Sequence, residues 1–151
     1  MKRLFGSVLL LGVSLTAQSP KSVQSTLLAL KDSGAPRKAL SDELVDEMMA
    51  LAKRNVSRPS QAAVERFSED LTSALLGRDV TAVRAEVLQN AIFKVLSGRG
   101  SNFEPATRLR ETLTNCGISS STVTALVARF IEIGQEVRGP DDLGRLPKER
   151  K

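Results

Sequence analysis

DVTAVRAEVLQNAIFKVLSG, residues 79–98, repeats its apolar side chains at three- and four-residue steps: Val80, Val83, Val87, Leu88, Ala91, Ile92, Val95 and Leu96. That period draws a wide apolar stripe along one side of an α-helix. Asp79 or Thr81 stands where a cap would start the helix, and Gly98 stands where a left-handed residue commonly ends one. At ~1.5 Å per residue the helix is roughly 27 Å long, about the width of a small domain. One neighbour cannot cover so broad a stripe, so this helix is expected at the centre of the fold.

Working outward, the preceding helix starts at Ser57, Pro59 and Ser60 and ends at Gly77. Val64, Phe67, Leu71, Ala74 and Leu75 form its inward seam, with Glu65, Arg66, Glu69 and Asp70 opposite. The link through Gly77, Arg78 and Asp79 is short enough to predict that it and the central helix lie side by side. Residues 40–55 form a further helix, with Ser41 as cap and Leu40 and Val45 at staple spacing. Asp42 and Glu43 in its first turn and Lys53 and Arg54 in its last complement the helix dipole. Leu44, Met48, Leu51 and Ala52 are expected to face inward. The first helix opens at Ser19 and Pro20, presents Val23, Leu27 and Leu30, and closes at Gly34 and Pro36.

Downstream, Asn102 is a candidate cap for a short helix over residues 104–116, with Leu109 and Leu113 inward. Serines 119–121 start the last helix, which runs to about Arg138 with Val123, Leu126, Val127, Phe130, Ile133 and Val137 on one face. Gly134 lies beside that face and costs about 1 kcal/mol relative to Ala, which a close approach by another helix would explain. Residues 139–151, GPDDLGRLPKERK, offer little to bury and read as a flexible charged tail. The fold expected is all-α: a single small bundle of five or six antiparallel helices over residues 18–138. Scarce aromatics, all of them Phe, suit such packing.

Residues 1–17 form a separate object. Lys2 and Arg3 precede an apolar run over residues 4–15, and Ala17 offers a small residue for cleavage. This is the pattern of a secretory signal peptide, too short for a membrane span of about 20 residues. No cysteine stands directly after the run, which disfavours a lipid anchor. The processed chain is therefore expected to be secreted or periplasmic, without a stable membrane span. Losing Lys2 and Arg3 takes the formal charge from +5 to +3, and so small an excess does not call for nucleic acid.

The chain has no histidine, which removes HExxH zinc sites and Ser-His or Cys-His nucleophile pairs. Cys116 is the lone cysteine and reads as a packed helix-end residue. Carboxylates recur four residues apart (Asp42 with Asp46, Glu43 with Glu47, Glu65 with Glu69, Glu132 with Glu136), as they do on most solvated helix faces. No cofactor or metal is expected, and no catalytic residue is singled out. The function expected is an exported, non-enzymatic binding module that contacts an envelope or extracellular macromolecule. The alternatives are a hydrolase working with carboxylates alone and a small-ligand carrier. One charge pattern stands out: Arg54, Arg58, Arg99 and Arg138, with Lys53, would gather at one end of an up-and-down bundle. Helix N-termini there would add N–H groups for an anion or an acidic partner.

The exported protein is expected to begin near Gln18. Intact mass of the chain recovered from the envelope or medium checks this, and a chain still starting at Met1 there refutes it.

Overall fold

The computed structural model describes residues 22–55 and 57–148, with side chains described as far as Arg138. Six helices pack together: α1 (Val23–Ala29), α2 (Arg37–Ala52), α3 (Gln61–Leu75), α4 (Ala82–Ser97), α5 (Phe103–Asn115) and α6 (Ser120–Lys148). There is no strand among the described residues. The expected signal segment and the Ser19–Pro20 helix start lie outside them.

The central helix is where its stripe requires it. α4 packs against α1, α2, α5 and α6, and its Leu88, Ala91, Ile92, Val95 and Leu96 are buried. Thr81 caps it, its hydroxyl accepting from the Arg84 N–H at 3.1 Å. Gly98 closes it at φ +71°, a conformation any side chain would strain. Val83 departs from the expected stripe. It is 69% exposed in the first turn, while Ala85, two residues on, is buried.

α3 and α4 do not form the close pair that their short link suggested. α3 packs instead on α2 and α6, and its Phe67 ring sits 5.5 Å from Phe130 of α6. The connection is longer than it reads, because the helical hydrogen-bonding ends at Leu75 and resumes at Ala82. Along it the Gly77 N–H donates to the Leu30 carbonyl at 2.7 Å, tying the turn to the end of α1. Val80 is buried beneath it.

The other corrections concern helix starts. α1 is capped by Ser22, which forms a reciprocal capping box with Ser25. α2 begins at Arg37 behind Pro36, earlier than expected, so Ser41 is not a cap. Its hydroxyl is buried and meets the Ser68 hydroxyl at 3.0 Å, a polar contact between α2 and α3. Consequently the first turn of α2 holds no acid and its last turn no base, so the dipole argument does not apply. Leu40 and Val45 are core residues rather than a staple, whereas Leu51 is 36% exposed. α6 continues past Arg138 to Lys148. Proline forfeits one hydrogen bond inside a helix, yet its φ is already helical, and α6 carries Pro140 and Pro147 within it.

Asn102 precedes α5 but makes no side-chain cap there; Ser101 accepts the Phe103 N–H instead, at 2.8 Å. The Asn102 amide reaches across to α6, where its oxygen accepts from the Arg138 guanidinium. Gly134 makes room for it. A Cβ at 134 would lie 2.6 Å from the Asn102 Oδ1, with Cγ and Nδ2 at 2.7 Å. The close approach expected of Gly134 is thus by a side chain, not by a helix.

Gly134→Ala is therefore expected to destabilise the protein by about 1–2 kcal/mol, despite alanine's higher helix propensity, because Asn102 must abandon Arg138. In an Asn102→Ala background the same substitution should become stabilising. Denaturant titration of the four proteins checks the change of sign. A destabilising effect of equal size in both backgrounds would assign the cost elsewhere.

Candidate interaction site around Phe93

Phe93 lies on the polar side of α4, among positions such as Glu86, Asn90 and Ser97, and is 40% exposed. It stands between two open grooves. The first, about 490 Å³, runs between α1, α2 and α4 and is lined by Val23, Ala50, Leu51 and Phe93. Glu43, Asp46 and Glu47 form its α2 wall, and Arg54 stands at its end. The second, about 450 Å³, lies between α4 and α5, with Val87, Ala91, Phe93 and Pro105 against Lys94, Glu104 and Arg108.

The walls are held by contacts between helices. The Gln24 N–H, in the first turn of α1, donates to the Gln89 side chain of α4 at 2.9 Å, an N-terminal group satisfied from a neighbouring helix. Thr26 of α1 donates its hydroxyl to the Glu47 carboxylate at 3.3 Å. Lys94 pairs with Glu104 at 3.1 Å across the second groove. Sequence reasoning passed over Phe93. The available signal was an aromatic on the face opposite the stripe, in a chain with only five Phe.

The basic end expected from the sequence is assembled differently. The turn after α2, the loop after α4 and the far part of α6 do meet. The Asn55 amide donates to the Leu96 carbonyl, and the Ser60 N–H donates to Glu136 at 2.8 Å. Arg138, however, is committed to the backbone. Its guanidinium donates to the carbonyls of Arg99 (3.1 Å), Gly100 and Gly134 as well as to Asn102. Arg54 belongs to the acid-walled groove, while Arg58 and Arg99 are exposed. Of the N–H groups at the starts of α3 and α5, those of Ser60, Ala63 and Phe103 donate to the Glu136, Ser60 and Ser101 side chains.

Comparison with protein-family models, with curated proteins and with solved structures returned no match. Among the described residues no group of three or more Cys, Asp or Glu could hold a metal ion. No helix there is long and apolar enough to cross a membrane.

Cys116 ends α5 and is 4% exposed. Burial raises its thiol above the ordinary value of 9.0; nearby Arg84 opposes this and Asp79 reinforces it. The folded chain therefore holds the thiol proton longer than the unfolded chain does. As pH rises past 9.0, the unfolded state ionises first and gains, so stability falls. Denaturation midpoints between neutral and alkaline pH should decline more steeply for the wild type than for Cys116→Ala. Parallel declines would mean that this thiol titrates alike in both states.

Proposed function

We propose that this chain is an exported, non-enzymatic helical protein of the cell envelope or extracellular space, and that it works by contact with another macromolecule. The basic start and apolar run of residues 1–17 support export by a cleaved signal peptide. The observation that carries the contact reading is Phe93, an aromatic ring left partly in water between two apolar grooves. The large core side chains of the bundle, Phe67, Phe130, Leu27 and Leu96 among them, are sealed from solvent. Apolar surface left outside such a core is the kind that partner proteins cover. The open grooves, their carboxylates spread along one wall, suit a surface contact better than an enclosed ligand.

A photo-crosslinking residue placed at position 93 should give discrete adducts in the envelope or medium fraction, while the same residue at position 65, on α3, should give none. Retention of the protein in the cytoplasm would refute export. Equal labelling at the two positions would refute the contact site.

A further inference from the structure

At the end of the bundle where α2 and α4 finish and α3 and α5 begin, cations and an aromatic ring stand out together. Lys53 closes α2, Arg58 lies in the turn before α3, and Arg99 lies in the loop after α4; all three are exposed. None of the three side chains makes an ion pair or hydrogen bond among the described residues. Two acids of the same end are already engaged. Glu104 lies between Lys94 at 3.1 Å and Arg108 at 3.9 Å, and Glu136 accepts the Ser60 N–H at 2.8 Å. Phe103, the first residue of α5, is 77% exposed, the most exposed of the large apolar side chains described. The loop that carries it is fixed from behind. Arg138 holds the Arg99 and Gly100 carbonyls, Asn102 occupies the space at Gly134, and Ser101 accepts the Phe103 N–H. A ring and cations presented in this way have little freedom to lose on binding.

We propose that this end of the bundle docks on an anionic membrane surface, with Lys53, Arg58 and Arg99 against lipid phosphates and the Phe103 ring between the headgroups. A site for one small anion converges on its ligand, whereas these cations stand exposed on three separate segments. A protein interface gathers apolar area into a core that excludes charge; here one ring protrudes beside cations. Single-stranded nucleic acid would meet the same cations, but it binds along grooves with several stacking rings. The membrane interface asks for the combination seen, a ring at the acyl boundary and Lys or Arg at the phosphates. Each cation near an anionic bilayer strengthens binding about fivefold, and only within a Debye length, so a local excess suffices. The Phe93 contact neither supports nor requires this docking.

The test uses the protein in the form its host accumulates. Vesicles are made of phosphatidylcholine alone and of phosphatidylcholine with about one-third phosphatidylglycerol. Sedimentation with vesicles should show at least ~10-fold tighter binding to the anionic ones, a preference that shrinks as salt rises. Arg58→Ala/Arg99→Ala should weaken anionic binding about 25-fold and leave neutral binding unchanged. Lys31→Ala/Arg66→Ala, of equal charge change away from this end, should keep the preference. The chain has no tryptophan, so Phe103→Trp supplies a single fluorophore. Its emission should shift to the blue on anionic vesicles and be quenched by brominated acyl chains, while Phe93→Trp should report neither. All of these positions are on the surface, so the thermal melts of the variants should match the wild type.

Equal binding to the two vesicles, equal losses from the two double variants, or a tryptophan at 103 that lipid never quenches would each overturn the docking. Quenching at 93 instead of 103 would move the membrane contact to the grooves. Release from vesicles by inorganic phosphate, beyond that by sodium chloride of equal ionic strength, would give the face to a small anion. Salt-sensitive binding to a single-stranded oligonucleotide without binding to vesicles would give it to nucleic acid. Crosslinking from position 93 reads the other contact, so either result can fail while the other stands.

Discussion

Water has to be kept from the apolar stripe of α4, and the placement of the other helices answers that need. Leu88, Ile92, Val95 and Leu96 are each almost wholly buried, and burial of one such side chain is worth about 1.5–3 kcal/mol. No single helix offers surface enough to cover them. α1 and α2 close one side, α5 and α6 another, and α3 completes the shell by packing on α2 and α6. The Phe67–Phe130 contact joins the two outer helices that α4 does not bring together. Adjacency in sequence yields to this demand, which is why α3 is joined to α4 but packed elsewhere.

Burial alone would leave the helices free to slide, since apolar contact has little direction. Hydrogen bonds at helix ends supply the register. Leu30 at the end of α1 receives the Gly77 N–H, and Leu96 near the end of α4 receives the Asn55 amide. The N–H of Ser60, the α3 cap, finds Glu136 of α6, and the Gln24 N–H finds Gln89 of α4. Arg138 gathers the carbonyls of Arg99 and Gly100 together with Asn102, fastening the α4–α5 loop to α6. Each bond answers a group that a helix cannot satisfy by itself, and each joins elements far apart in the chain. Groups engaged in this way are no longer available to a ligand. Arg138 is therefore a fastening, while Arg58 and Arg99 stay exposed beside it.

The grooves beside Phe93 are a consequence of the same packing. α4 turns its stripe inward and so must turn its opposite face outward, and that face carries an aromatic ring. α1 is short, α2 presents acids, and the space between them and Phe93 remains open. The contact proposed for this surface would use apolar area that the described helices leave open.

The sequence by itself determined the class and most of the inward faces. Periodicity is a local property, so the all-α fold, the central position of α4, a cap at Asp79 or Thr81 and the Gly98 stop were all legible. So were the seams of Leu109 and Leu113, and of Val123 to Val137, since a stripe of one period can only face a core. What lay beyond reading depended on partners distant in the chain. Ser41 looks like a cap until Ser68 is seen opposite it, and Asn102 looks like one until Arg138 claims its amide. Arg138 looks like a free cation until the loop carbonyls surround it. Val83 and Leu51 match an apolar period yet stay exposed, and Phe93 breaks the period without saying what stands beside it. Backbone period is written in neighbouring residues. The fate of a polar group, and the covering of an apolar one, is set by whichever residue the fold brings within a few ångströms.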